Sequence, residues 1–458
     1  MKIQITALVL AIAPVAANYI NEEPSEFNLT RFDRVSVWEK KHIPLNTIAK
    51  IKRGKQQLAV TQTPTATPFS ITFECDKAVS TTLCNQAKAS FQSAADRIAK
   101  ILNIYKTINI YAEFKSFCNG QALSSCDLAR VLGQAASASS FNAKIGTNPT
   151  ATIPQSLFKQ INTQYTISYS KYDIIADFNA DFTYYFASSG QPITNSQYDF
   201  EYVVCHEITH GLGFDTNWKD WGNVYASTFG ASYSALLPDI IYKSDTSDPS
   251  NPVTGWAYPF VFDLFLYDSP SSTDLMSYYN NITKLYSVKS TTLKNAVTNV
   301  QYSKTAFDMG KKLYTSATTG SGSIKFKLDI SANTTIYVSV STPKTYDVGS
   351  SIAHLDYNTY FGSPEFLMVP NVNGRAGQTL DTIIQNTAAY GTSYGVYGSI
   401  TTAMLNKMGW PTKFSPNVTS LYVSNPITGD DPSSGARGMG RIGFSVLLMS
   451  LLLVLKCF

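Results

Sequence analysis

Between residues 83 and 102 the apolar positions Ala87, Phe91, Ala94, Ala95, Ile98 and Leu102 recur at helical spacing. Residues three and four apart share one face of an α-helix, so this segment predicts a helix with a single apolar stripe. Residues 108–114, INIYAEF, alternate apolar and polar instead, as a strand with one buried face does. Residues 69–73 and 173–179 read as further strands. The stretch TQTPTATP at 61–68 interrupts the pattern and marks a boundary, which leaves the polar residues 18–70 as an N-terminal extension or pro-segment. Residues 240–345 are rich in Ser, Thr, Tyr and Asp, with an apolar patch at 258–267 and an alternating run at 335–341. They read as an insertion of helices and short strands.

One short segment carries chemistry. Residues 204–214 read VCHEITHGLGF. On a helix, His206 and His210 lie about one turn apart on one face and can hold a metal ion through their ring nitrogens. Glu207 stands beside them and can take a proton from a water. A chance HExxH arises on the order of once per hundred chains of this length, so the motif needs support. Histidine usage supplies some: the chain has four, His42, His206, His210 and His354. Catalytic zinc takes three protein ligands as a rule, with a fourth position open. Candidates for the third are His354, His42 and a carboxylate, Asp215 being the nearest. Where the form HExxHxxGxxH has its third His, this chain has Thr216. Cys205, directly before His206, reads as a small buried residue rather than a redox thiol.

Three more blocks follow in order: AHLD at 353–356, EFLMVP at 365–370 and GSITTAMLNKMGW at 398–410. Together with HEITHGLGF they make the chain resemble the leishmanolysin-like zinc metalloproteases of the metzincin group. It is similar as well to uncharacterised secreted proteins of fungi and other microbial eukaryotes that carry the same blocks. The resemblance spans residues 71–215 and 350–411. It implies an α+β fold, with a twisted mixed sheet and a backing helix in an upper lobe at 71–239. A lower lobe at 346–412 would hold the Met-turn and the C-terminal helix. His206, His210 and His354 would bind one catalytic Zn2+, and Glu207 would be the general base. Met368 would form the Met-turn, packing beneath the metal, and Gly213 would let the chain turn sharply after the helix. The implied activity is peptide-bond hydrolysis in protein or peptide substrates. Two features depart from the family: His354 lies farther downstream than expected, and cysteines are fewer. No cysteine stands between the leader and Cys75 to cap the metal.

The ends of the chain refine this picture. MKIQITALVLAIAPVAA reads as a signal peptide cleaved after Ala17. Small residues Ser433, Ser434 and Gly435 precede a short polar spacer and an apolar run at 442–455, the pattern of a GPI-anchor signal at 435–458. The run is short for a membrane span, which needs about 20 residues. Residues 413–434 would then be a stalk, and the enzyme would sit on the cell surface. The formal net charge of +4 matches the four basic residues of leader and tail, Lys2, Arg437, Arg441 and Lys456. The rest of the chain is balanced and gives no ground for nucleic-acid binding. Cys75, Cys84, Cys118 and Cys126 suffice for two disulfides in an oxidising compartment, with three connectivities open. Sequons stand at Asn28, Asn281, Asn333 and Asn417. The alternative to a protease is a catalytically silent surface binding protein or adhesin on the same scaffold. The retained Glu207 speaks against it, because a binder has no use for a proton acceptor beside a metal.

Overall fold

The computed structural model describes residues 63–414, apart from short internal stretches, together with strands at Arg31–Arg34, Lys40–Lys41 and Val454–Lys456. The signal peptide, His42, the sequons Asn28, Asn333 and Asn417, the stalk beyond residue 414 and most of the apolar tail lie outside the described residues.

The fold is α+β. Strand β1 (Phe69–Cys75) leads to helix α1 (Thr81–Ala99), which begins where the Ser80 hydroxyl accepts the Leu83 amide. Strand β2 (Ile108–Lys115) follows. Next come β3 (Val131–Ser137), β4 (Ser139–Ala143), β5 (Ala151–Pro154) and β6 (Ile174–Asn179). The main sheet runs in the order β3-β6-β2-β1, with Val454–Lys456 added antiparallel outside β3. β1, β2 and β6 are parallel, and β3 is antiparallel to β6 with Gly133 opposite Phe178. β2 behaves as its alternation requires: Ile108, Ile110, Ala112 and Phe114 are buried and the residues between are half-buried. α1 lays Ala87, Phe91, Ala94, Ala95 and Ile98 into the core. β6 is buried on both faces, because Ile175 joins a second small cluster with Phe117, Val131, Ala136 and Ala138. β4 pairs with β5 on one side and with Arg31–Asp33 on the other, so the N-terminal extension adds a strand to the fold.

Helix α2 (Phe200–Gly211) carries HEITH and is buried on every side. Beyond it the insertion forms helices α3 (Leu275–Leu285), α4 (Leu293–Val300) and α5 (Lys304–Ala317). These accompany a four-stranded antiparallel sheet whose long hairpin is β8 (Ile324–Ser331) and β9 (Thr334–Ser339), with β7 (Leu266–Asp268) beside β8. Asn281 is exposed on α3. One hydrophobic cluster runs from Phe69 through the insertion to Trp410. A short 3-10 turn, Phe366–Met368, then α6 (Leu380–Thr387) and α7 (Ser399–Met408) complete the described chain. Disulfides join Cys75 to Cys84 and Cys118 to Cys126, while Cys205 is a free thiol buried against the Ala94 carbonyl of α1. No helix among the described residues is long and apolar enough to cross a membrane.

Candidate metal centre

The placement of α2 starts with its cap. The Asp199 carboxylate accepts the Glu201 amide at 2.9 Å and the Leu380 amide at 2.7 Å, so one side chain caps α2 and anchors the start of α6. Burial lifts the Asp199 carboxyl to about 6, and these two amides act against the rise. Glu201 accepts Arg97 Nε at 2.6 Å and Ser93 Oγ at 2.5 Å, tying α2 to α1. Arg97 also grips Asp381 at 2.6 Å, so α1, α2 and α6 share one ion-pair network.

The far end of α2 is held as firmly. Thr209 Oγ1 donates to the Cys205 carbonyl at 2.7 Å, which leaves it to accept from Tyr397 OH, also at 2.7 Å. The last carbonyls of a helix lack partners within it. Here Ser156 Oγ takes that of Gly211 at 3.1 Å, and Trp410 Nε1 takes that of Leu212 at 2.9 Å. Gly213 sits at φ +103°, a left-handed conformation that suits glycine, and a Cβ there would strike Pro154.

His354 reaches the same point from a loop. Its carbonyl accepts the Ser341 amide, Ser341 accepts the Ile352 amide, and Leu355 N donates to the Met368 carbonyl, each at 2.8 Å. Ile352, fully buried, lies at φ +69°, which is unusual for a β-branched residue and places strain beside the site.

The three imidazoles converge. His206, His210 and His354 form the group of metal-ligating side chains found among the described residues. Their Nε2 atoms stand 3.0 Å apart for His206 and His210, and 3.1 Å apart for each of the two pairs with His354. Each Nδ1 faces a backbone carbonyl: Leu367 at 2.5 Å for His206, Phe214 at 2.7 Å for His210 and Ser350 at 3.0 Å for His354. A carbonyl only accepts, so each Nδ1 carries the proton and each Nε2 presents a lone pair. Burial holds the His206 imidazole down to about 4 and that of His210 well below its ordinary range, so both are neutral at physiological pH. Three neutral acceptors this close repel one another unless a cation lies among them. Ligand distances of about 2.0–2.1 Å in a tetrahedral site set nitrogens about 3.3 Å apart, within a few tenths of an ångström of this triangle. The residues therefore fit a metal ion.

Glu207, next to His206 on α2, is fully buried, and none of the four residues is more than 1% exposed. Met368 is buried in the turn whose Leu367 carbonyl orients His206. Thr216 lies outside the triad, donating to Asp263 at 2.6 Å. Asp215 accepts the Thr216 amide and is likewise outside the cluster. Two supporting residues escaped sequence reasoning. Asp263 receives Thr216 together with the amides of Asn217 and Phe260, joining the exit from α2 to the insertion. Glu365, fully buried, accepts the amides of Ile400 and Thr401 and the Thr401 hydroxyl at 2.7–2.8 Å, fastening the Met368 turn to the N-terminus of α7. Nothing in their local sequence distinguishes them, although Glu365 stands within the EFLMVP block.

The fold and site thus define an α+β protein with a buried three-histidine centre suited to a metal. The chain belongs to the SPBPB7E8-like family, whose model matches residues 39–426. Among curated proteins it is similar to the uncharacterized protein PB7E8.01 of Schizosaccharomyces pombe (strain 972 / ATCC 24843). The two are 26% identical over 374 residues, covering 77% of this chain and 64% of that protein. This chain therefore spans less than two thirds of that relative's length. No solved structure matches it.

Proposed function

We propose that this protein is a zinc metalloendopeptidase of leishmanolysin-like, metzincin type, working at the cell surface or outside the cell. The observation that carries the reading is the convergence of His354, 144 residues beyond His210, on the two HExxH histidines with all three Nε2 atoms turned inward. Bound there, Zn2+ supplies Lewis acidity toward a peptide carbonyl and lowers the pKa of water toward neutrality. The chain's own residues do the rest. His206, His210 and His354 hold the ion as neutral ligands, each fixed in ring orientation by its carbonyl. Glu207, next to His206 on α2, takes the proton of the attacking water at its carboxylate and returns it to the leaving amine. Met368 packs in the turn that carries the Leu367 carbonyl and so keeps the His206 ring in place.

The outer edge of β3 supports a peptide as substrate. Val454–Lys456 pairs antiparallel along it, opposite Val131–Gln134, with main-chain bonding of the kind an extended peptide forms when it adds to a sheet. Casein cleavage by the chain ending at Ser434, abolished by a zinc chelator and lowered by about 10²–10⁴-fold by Glu207→Ala, is the expected result. A zinc-loaded chain that cleaves nothing would favour the binding-protein alternative.

A further inference from the structure

Gly133 occupies a point of β3 where a side chain would be crowded. An ideal Cβ there would lie 3.0 Å from Phe178 Cδ1 and 3.2 Å from Glu207 Cγ. The reason is space rather than backbone conformation, because Gly133 is absent from the residues with positive φ. Both backbones are held by hydrogen bonds. β3 is held in register with β6, Gly133 opposite Phe178, and the residues on either side are pinned. Tyr184 OH donates to the Leu132 carbonyl at 2.7 Å, and Gln134 Nε2 donates to Asp177 at 3.0 Å. α2 is fixed by Asp199 at one end and by Tyr397 and Trp410 at the other. The groups left to yield are the Phe178 ring and the Glu207 side chain, both fully buried.

We infer that Gly133 is a positioning residue for Glu207: its missing side chain sets where the Glu207 carboxylate stands beside the three histidines. The consequence for catalysis rests on the protease reading. The steric coupling of positions 133 and 207 does not. Proton transfer is sensitive to distance, and a misplacement of 1 Å can cost about a hundredfold in rate. A methyl group that moves Glu207 by a few tenths of an ångström should then lower kcat by about tenfold. Zinc content should stay at that of the wild type, because the atoms nearest a Cβ at position 133 belong to Phe178 and Glu207, not to the three histidines.

The experiment is a double-mutant cycle in the zinc-loaded chain, read by melting temperature, zinc content, kcat and KM. Gly133→Ala should lower kcat about tenfold, keep KM within about twofold and keep the zinc. In a Glu207→Ala background the Cγ is gone. There Gly133→Ala should leave the residual rate unchanged and lower the melting temperature by about 1–2 °C less than it does in the wild type. Phe178→Leu with Gly133→Ala removes the ring from the conflict and covers the case in which the single variant folds poorly; its kcat should stay low. Additive melting shifts, kcat restored by Phe178→Leu, or loss of zinc from Gly133→Ala would each overturn the inference. A wild-type chain without proteolysis would sink the protease reading, while the melting cycle would still decide the coupling.

Discussion

Helix α2 and the loop ending at His354 bring histidines to one point by different means. In α2 the helical repeat itself aligns His206 with His210, and the helix is buried all round, capped by Asp199 and closed by Trp410. The loop has no repeat to align anything. It places His354 through backbone bonds to Ser341 and Met368, and it carries Ile352 at φ +69°. Local geometry thus fixes two of the histidines cheaply, whereas the third depends on tertiary contacts made by the insertion and the Met368 turn. Strain collects on the side that lacks local support.

The strongest way to break this comparison is to remove one ligand from each side. His210→Ala and His354→Ala should both weaken zinc binding by more than about a hundredfold, since even the partners of ligands are worth about 10–100-fold. Titration with a competing chelator measures this. A His354→Ala protein with wild-type affinity would make the loop histidine incidental. Next, Glu365→Ala strikes the loop side alone, leaving two α7 amides buried without their acceptor. Unsatisfied buried donors cost about 1–3 kcal/mol each, so chemical denaturation should show a loss of several kcal/mol. Zinc affinity should fall with it, and Glu365→Gln should recover part of both. Unchanged zinc affinity in Glu365→Ala would separate the Met368 turn from the centre.

The exit from α2 gives a pH-dependent test. Burial, opposed by the bonds from Thr216, Asn217 and Phe260, raises the Asp263 carboxyl to about 7. A raised carboxyl contributes stability that is fully present below its unfolded value, about 3.9, and is lost as pH rises through about 7. Asp263→Asn, which cannot ionise, should therefore gain melting temperature relative to the wild type between pH 4 and pH 8. Parallel melting curves over that range would contradict this. The smallest effect is expected at Tyr397→Phe, which removes one buried bond to Thr209 and should cost about 1 kcal/mol in denaturant unfolding. A much larger loss would mean that α2 leans on tertiary support as the loop does.

Legibility in the sequence followed the same division. Periodicity located α1, β2 and β6, because a packed helix and an alternating or buried strand imprint a repeat on the chain. HExxH located the two helix-borne histidines for the same reason. His354 has no repeat behind it; what pointed to it was its rarity and the order of neighbouring blocks. Four cysteines left three pairings open, and the folded chain chooses the two short-range ones, Cys75 with Cys84 and Cys118 with Cys126. Asp263, Glu365, Tyr397 and Gly133 stayed hidden because each acts across the fold on a residue far away in sequence. The polar segment Arg31–Asp33 gave no strand signal either, since its pairing partner Ser139–Phe141 supplies the order. The apolar patch at 258–267 foreshadowed β7, but its pairing with β8 depends on a hairpin some sixty residues on.

The central claim is that three histidines and one glutamate make this chain a zinc protease. Its most direct test is casein cleavage by the chain ending at Ser434, at matched and measured zinc content, beside the Glu207→Ala variant. The account predicts one zinc per chain in both proteins, with the rate lower in the variant by about 10²–10⁴-fold. Equal rates in the two, or cleavage that survives complete removal of the metal, would contradict it.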